Sequence, residues 1–254
     1  MVGESIAREV LKLGLLRGSL PLKNGFELGP VNDFDVSKES SPKKARTEKK
    51  ELCTFNADAL TTPESQPSAS SLPNTKINLR QQVTLGDSRI DFQITLTQLL
   101  NGASHRVLFE VKNVVCADFE SGTEPKLTGP GHCVVVAPPS TSSLNDKVGY
   151  QRKALFPWGR TRGQKFDGRS VVSERACKHL RNLQSLIEDD VTPVVLFIVN
   201  RSDCESVRAC KEQCPVFAEV LEEVVKAGVK ALAVRVRWTE DGQCFFDGII
   251  PVLV

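Results

Sequence analysis

Residues 107–113 constrain the fold more than any other stretch, because charged and apolar side chains alternate along them. Successive side chains of a strand point to opposite faces of its sheet. Glu110 and Lys112 therefore share one face, and Phe109 and Val111 share the other. The pattern predicts a strand that carries a carboxylate and an ammonium group side by side, opposite an apolar face.

A second strand-like run, residues 89–96, precedes this strand, and the turn-forming residues 101–104 lie between the two. If the runs pair as a hairpin, Asp91 lies across from Glu110, and two carboxylates converge with Lys112. Carboxylate oxygens bind Mg²⁺, and a lysine stabilises developing charge or orients the attacking water. The set fits metal-assisted phosphodiester hydrolysis, and a cross-strand ion pair on a solvated face is the alternative.

The rest of the pattern predicts an α/β protein with a mixed sheet and helices on both faces. The first helix is amphipathic, with Ile6, Val10 and Leu13 on one face. The continuous apolar run at 194–199 predicts a strand that is buried on both faces. The other predicted elements are a strand at 79–85 with a turn at 86–87, a small edge strand at 133–136, a helix at 171–189 that buries Ile187, a helix from Pro215 to Gly228, and strands at 229–236 and 244–250.

Composition separates folded sequence from two insertions. Residues 25–76 are rich in Ser, Pro, Thr, Lys and Glu and lack an apolar period over most of their length, which predicts a disordered insertion. It separates the first helix, within residues 1–24, from a domain at 77–254 that has a second insertion at about 120–150. The basic run at 41–50 resembles a nuclear-import signal, and a solvated linker is the alternative.

The eight cysteines show no paired spacing, the start lacks a signal-peptide pattern, and no apolar run approaches a membrane span. These features predict an intracellular protein with reduced thiols, in the cytoplasm, nucleus or an organelle rather than secreted, and with no membrane partner. Cys204, Cys210 and Cys214 lie close together. A zinc site needs two close pairs or a His partner, so half-buried or solvated thiols are the favoured interpretation.

Positive charge is concentrated in residues 150–181, where nine basic and two acidic residues give a net charge of +7, against +2 for the whole chain. Tyr150, Phe156, Trp158 and Phe166 are interleaved with the cations. Cations bind phosphates and aromatic rings stack on bases, so this segment predicts DNA binding, with a solvated basic loop as the alternative. The candidate nucleic-acid-binding residues are Arg152, Lys153, Arg160, Arg162, Lys165, Arg169, Arg175, Lys178 and His179.

Several motifs resemble those of the sugar fermentation stimulation protein A (SfsA) family. They are the helical I-A-R-E-V-L-K-L-G-L at 6–15, S-R-I-D-F at 88–92, E-V-K-N-V at 110–114, E-R-A-C-K-H-L-R at 174–181 and the ending P-V-L at 251–253. The family-like sequence is interrupted by the insertions. The resemblance implies a PD-(D/E)XK restriction-endonuclease-like core, DNA binding and an association with the regulation of sugar use in bacteria.

The resemblance also implies roles for individual residues. It makes Asp91, Glu110 and Lys112 a nuclease triad, in which Asp91 and Glu110 bind Mg²⁺ or Mn²⁺. It places Lys178 and His179 on a helix that faces the triad. Glu9, within the first helix motif, is an auxiliary candidate.

The chain departs from the family pattern in three places. Family members begin with a small OB-like barrel, whereas this sequence starts within the first helix. They also place F-P-D-A just before T-E-R-G; here Trp158 follows Pro157, and Asp167 is the candidate for the missing aspartate. Ala176 stands where a glycine is usual. Either the barrel is missing, which would remove one expected DNA-binding surface, or the true start of the chain lies further upstream.

Two function classes are favoured, and a third is kept as a lower alternative. The first is a metal-dependent nuclease, and the intact set of Asp91, Glu110 and Lys112 favours it. The second is a non-catalytic DNA-binding module that keeps the nuclease fold. The departures from the family pattern favour this class. A third class is an interaction protein whose insertions recruit partners.

Overall fold

The computed structural model describes residues 2–31, 33–35, 75–85, 88–126, 133–137, 149–161 and 163–254. Arg162, the basic run at 41–50, the predicted turn at 86–87 and most of both predicted insertions lie outside these residues. The folded part extends past the predicted boundary at residue 24. Phe26 and Leu28 are buried, and a short strand follows at Asp33–Asp35.

Three α-helices and thirteen strands occur in the described residues. The helices are α1 (Val2–Lys12), α2 (Glu174–Ser185) and α3 (Pro215–Ala227). The strands are β1 (Asp33–Asp35), β2 (Thr75–Leu85), β3 (Ser88–Gln98), β4 (Ser104–Val114), β5 (Cys116–Ala117), β6 (Lys153–Phe156), β7 (Lys165–Phe166), β8 (Arg169–Ser170), β9 (Val191–Val199), β10 (Ser206–Ala209), β11 (Lys230–Trp238), β12 (Cys244–Ile250) and β13 (Val252–Leu253).

The main sheet has seven strands in the order β1-β2-β3-β4-β9-β11-β12. Strands β2, β3 and β4 form an antiparallel meander, whereas β4, β9 and β11 are parallel. The predicted mixed sheet is therefore confirmed. Strand β9 lies between β4 and β11, and residues 193–199 are all buried because these neighbouring strands and both apolar layers cover them.

Helices cover both faces of this sheet, as predicted. On one face Ile6 and Val10 of α1 pack in a core with Phe92 and Phe109. On the other face α2 and α3 pack in a second core, which contains Leu180, Leu183, Phe217, Val195 and Phe197. The amphipathic pattern of each helix explains this arrangement, because an apolar stripe must be buried against the sheet.

Two helix predictions were wrong at their ends. Leu13 lies beyond the end of α1 and is 40% exposed, so it does not belong to the buried face. Helix α2 is shorter than the predicted 171–189, because the Ser173 side chain caps its start by accepting a hydrogen bond from the backbone N of Ala176 at 3.2 Å. Ile187 follows the helix and is exposed. By contrast, α3 begins at Pro215 and is capped by Gly228, as predicted.

A second sheet was not predicted. Its four strands lie in the order β13-β10-β6-β5. Strand β10 pairs in parallel with both β6 and β13, which come from distant parts of the chain. The predicted edge strand at 133–136 forms only a single bridge, between Val136 and Phe119.

Candidate functional site

The pairing of β3 with β4 brings Asp91 to Glu110. The register pairs Phe92 with Phe109, so the next positions outward along the two strands are Asp91 and Glu110. The Asp91 side chain crosses to β4, where its Oδ2 accepts a hydrogen bond from the backbone N of Val111 at 2.8 Å. The first carboxylate is thereby attached to the strand that carries the second.

Glu110 and Lys112 lie on the same face of β4, which is the face covered by α2. Glu110 is 3% exposed and Lys112 is 8% exposed. The Nζ of Lys112 donates to Oε1 of Glu110 at 2.7 Å, so the two buried charges form an ion pair. The alternation of polar and apolar side chains in β4 places this pair together, and burial increases the strength of its electrostatic attraction.

Helix α2 adds His179 to the pair. Its Nδ1 hydrogen-bonds to the same Glu110 oxygen that accepts from Lys112. On the other side of the ring, Nε of Arg175, one turn earlier, donates to Nε2 of His179 at 3.1 Å. Because Nε2 accepts, the neutral ring carries its proton on Nδ1 and donates it to Glu110. Arg175 therefore orients His179, and His179 orients Glu110.

The two carboxylates differ in protonation behaviour. Burial, reinforced by the charges of Glu110 and Glu4, raises the pKa of Asp91 to about 6, although the Val111 N–H and Lys112 oppose the shift. Burial acts in the same direction on Glu110, but the hydrogen bond from His179 and the charge of Lys112 outweigh it and lower its pKa. Negative charge is thus compensated at Glu110 and left in excess at Asp91.

The acidic residue that α1 contributes is Glu4, not Glu9. The Oε2 of Glu4 accepts from Nε2 of Gln82 at 3.2 Å, and its charge acts on Asp91. Glu9 instead pairs with Arg8 and Lys12 on the helix surface. Of these two glutamates, Glu4 is therefore the one whose charge acts on Asp91. Periodicity gave no signal for this choice, because both residues lie outside the apolar stripe.

The start of α1 is held close to β4 by a small residue. A Cβ at Gly3 would lie 2.8 Å from Oδ1 of Asn113, so a larger residue there would push the helix away from the strand. Gly3 thereby allows the first turn of α1, with Glu4, to reach the carboxylate pair.

The predicted DNA-binding residues have diverse surroundings. Arg152 pairs with Asp203 at 2.5 Å, Lys153 donates to the backbone O of Gln151, Arg169 pairs with Glu219, and Lys178 pairs with Glu174. Arg160, Lys165 and Arg175 are exposed. Acidic residues from outside the basic segment, Asp203 and Glu219 among them, offset part of its charge. Lys178 points to solvent, so of the two residues predicted to face the triad only His179 does.

Asp167 and the three clustered cysteines lie apart from this chemistry. Asp167 adopts a positive φ of 49° in the turn between β7 and β8, where it is exposed. Cys204, Cys210 and Cys214 are free thiols with no exposed surface, so they are neither half-buried nor solvated as expected. Across the described ranges, no three His, Cys, Asp or Glu side chains are grouped to hold a metal ion.

The carboxylate pair nevertheless has the chemistry of a small site for a hard cation. Asp91 uses Oδ2 for the Val111 N–H, and Lys112 and His179 both bond to Oε1 of Glu110. No described residue donates to the second oxygen of either carboxylate. Mg²⁺ is commonly held by one or two carboxylates with water completing its shell, so two such oxygens fit it.

Helices of the described residues are too short or too polar to cross a membrane.

Comparisons with known proteins agree on one family. Residues 170–242 match the family model described as "Sugar fermentation stimulation protein RE domain". The sugar fermentation stimulation protein homolog of Pseudomonas savastanoi pv. phaseolicola is 40% identical over 82 residues, which are 30% of this chain and 35% of the homolog. The homolog of Pseudomonas fluorescens Pf-5 is 40% identical over 95 residues, which are 35% of this chain and 40% of the homolog.

This chain therefore spans 35% and 40% of the length of these two relatives. A solved structure described as Pyrococcus furiosus SfsA in complex with Ca²⁺ has a TM-score of 0.45 and 18% identity, covering 72% of this chain and 57% of that one. The family-model match includes Arg175 and His179, whereas Asp91, Glu110 and Lys112 lie outside it.

Proposed function

We propose that this member of the sugar fermentation stimulation protein family is a DNA-binding protein with a metal-dependent phosphodiesterase site on a PD-(D/E)XK-type core. Family membership rests on residues 170–242 and on relatives that are 40% identical over their matched segments. The site itself rests on one observation. Two carboxylates and an ammonium group converge at a place where burial and the charge of Glu110 raise the pKa of Asp91 to about 6.

Each residue has a distinct task in this proposal. Asp91 and Glu110 would hold Mg²⁺ or Mn²⁺, which when bound supplies a nucleophilic water and neutralises charge on the phosphate. Lys112 stabilises negative charge that develops on the phosphate oxygens and orients the attacking water. His179 keeps one Glu110 oxygen engaged, so the other remains directed at the cation.

A second candidate is a DNA-binding module without cleavage. Lys112 and His179 both bond to Glu110, so the buried glutamate is stable without any metal. A protein of this kind would keep the fold and the basic surface while its carboxylates serve only the structure.

The two candidates differ in a cleavage assay on single- and double-stranded DNA with Mg²⁺ or Mn²⁺, run beside calorimetric Mg²⁺ titration. Under the nuclease proposal EDTA abolishes cleavage, and Asp91→Asn and Lys112→Ala each lower its rate at least about 100-fold. Asp91→Asn also weakens Mg²⁺ binding, whereas Lys112→Ala leaves it near normal or tighter. Lys226→Ala, at an exposed lysine of α3 outside the basic segment, is the control and should cleave normally.

Cleavage that persists in both site variants rejects this site. DNA binding by the unmutated protein with neither cleavage nor Mg²⁺ uptake supports the module without catalysis.

DNA binding is expected to act mainly through phosphate contacts and to weaken steeply with salt. Replacing Arg160 and Lys165 by Ala should flatten the slope of log K against log salt by about 2 for a duplex, since each phosphate contact contributes about 0.9. Fluorescence anisotropy across a salt series measures the slope. Lys226→Ala, at an exposed lysine of α3, should leave it unchanged. An unchanged slope in the double variant shows that this surface does not contact DNA.

A further inference from the structure

A cavity lies at the end of β4 that follows Lys112, and the proposed nuclease mechanism gives it no role. Its volume is about 260 Å³. This is slightly below the range of about 300–1,000 Å³ that is typical of small-molecule sites, so it suits one small planar group. Its lining combines apolar and polar side chains, and includes Asn113, Val115, Cys116, Pro157, Trp158 and Ser173.

Trp158 is the most informative residue of this lining. It is 38% exposed, although large aromatic side chains are usually more deeply buried. Its Nε1 donates to the backbone O of Cys133 at 3.1 Å, which fixes the indole and uses its only donor. The side chain therefore offers the cavity a rigid apolar ring. Such a ring is suited to stacking against another planar group.

The Asn113 side chain is not part of this feature, because it lies on the α1 side of β4, where a Cβ at Gly3 would come within 2.8 Å of its Oδ1. The ring of Trp158 is therefore the group of the lining that suits a nucleobase, since proteins commonly hold unstacked bases on aromatic side chains.

The cavity and the proposed metal site are built on the same two elements. Val114 in the lining is two residues beyond Lys112 on β4, a distance of about 7 Å along a strand. Ser173 in the lining precedes His179 by six residues, about 9 Å along a helix. A cavity of this size holds one planar group and has no room for stacked neighbours, so a base bound in it has left the stack.

We propose that this cavity binds a single unstacked nucleobase of a DNA strand whose phosphate lies at Asp91, Glu110 and Lys112. The inference rests on the proposed function and deepens it by naming the substrate class. That class is single-stranded DNA, or duplex DNA from which one nucleotide is extruded. The neighbouring exposed residues Arg160 and Lys165 carry the charge that such a backbone requires.

The sequence permits a direct spectroscopic test, because the chain has only two tryptophans. Trp238→Phe leaves Trp158 as the sole tryptophan. This protein is titrated in EDTA and low salt with oligothymidylate and with an abasic oligomer of equal length, which keeps the phosphates but has no bases. Oligothymidylate should quench Trp158 fluorescence, and the abasic oligomer should bind with little quenching.

Affinity provides the second measurement. Trp158→Ala in the otherwise unmutated chain should weaken oligothymidylate binding about tenfold or more, and leave abasic binding unchanged. Trp158→Phe keeps a stacking ring and should restore most of the affinity, which separates stacking from a folding defect.

The outcomes separate the two proposals. Equal quenching by both oligomers, or equal weakening of both by Trp158→Ala, overturns the base site and leaves DNA binding standing. If the unmutated protein binds neither oligomer nor duplex DNA, the proposed function fails and the base site fails with it.

Discussion

Asp118 and Asp91 are both at least partly buried, but they differ in their hydrogen-bond donors and in the sign of the neighbouring charges. Asp118, beside the second sheet, has no exposed surface. Its Oδ1 accepts from the Tyr150 hydroxyl at 2.9 Å and from the backbone N of Lys153 at 2.8 Å, and its Oδ2 faces Arg208 at 3.4 Å. Asp91 has one backbone donor and is surrounded by the negative charges of Glu110 and Glu4.

The difference distinguishes a structural carboxylate from one suited to a ligand. Burying a carboxylate is costly unless hydrogen bonds and opposite charge compensate it. At Asp118 the protein supplies that compensation, so the residue joins β6 and β10 through Lys153 and Arg208. At Asp91 compensation is incomplete, and a cation bound there would supply what the fold does not.

The largest expected effect is at Asp118. Asp118→Ala removes the acceptor of several buried donors and leaves Arg208 without one of its two carboxylates, so the free energy of unfolding should fall by about 3–5 kcal/mol. Urea unfolding measures the change. Asp189→Ala, at an exposed ion pair with Lys23, is the matched control and should change the free energy of unfolding little. Similar losses in the two variants would contradict the structural role of Asp118.

A smaller effect of opposite sign is expected at Asp91. Its pKa of about 6 in the folded protein exceeds the ordinary value of 3.8, so the folded state holds the proton more tightly and loses stability as pH rises from about 4 to 6. Asp91→Asn removes this loss. In metal-free buffer at pH 8 it should therefore stabilise the protein by about 1–2 kcal/mol, after allowance for solvent screening.

Thermal melting at a series of pH values checks this prediction. The melting temperature of Asp91→Asn should exceed that of the unmutated protein by roughly 3–6 °C at pH 8. The difference should shrink below pH 6 and vanish below about pH 3, where Asp91 is protonated in both the folded and the unfolded state. If Asp91→Asn is instead less stable at pH 8, Asp91 is a structural carboxylate like Asp118.

The smallest effect separates two glutamates of α1. Glu4→Gln removes one negative charge near Asp91 and keeps an acceptor for Gln82, so it should stabilise the metal-free protein by about 0.5 kcal/mol at pH 8. Glu9→Gln, on the same helix, breaks pairs with Arg8 and Lys12 and should give no gain. Urea unfolding of both variants makes the comparison. An equal gain in both would show that the effect belongs to the helix and not to the site.

The sequence by itself determined the parts of the fold that are long and regular. The alternation at 107–113 and 89–96 predicted β4, β3 and the approach of Asp91 to Glu110. The apolar run of β9 predicted a strand that is buried on both faces, and Pro215 with Gly228 marked the ends of α3. These features were readable because each is a local pattern that repeats over several residues, so backbone geometry alone assigns every side chain to a face.

Only the tertiary structure decided which distant groups meet. The second sheet joins strands of two to four residues, which are too short to show a period, and β10 pairs with β6 about fifty positions earlier in the chain. Likewise, His179 rather than Lys178 reaches Glu110, and Glu4 rather than Glu9 acts on Asp91. Neighbouring polar residues on a helix look alike in sequence. Their roles are assigned by how the helix packs on the sheet, because that packing determines which of them faces the buried charge.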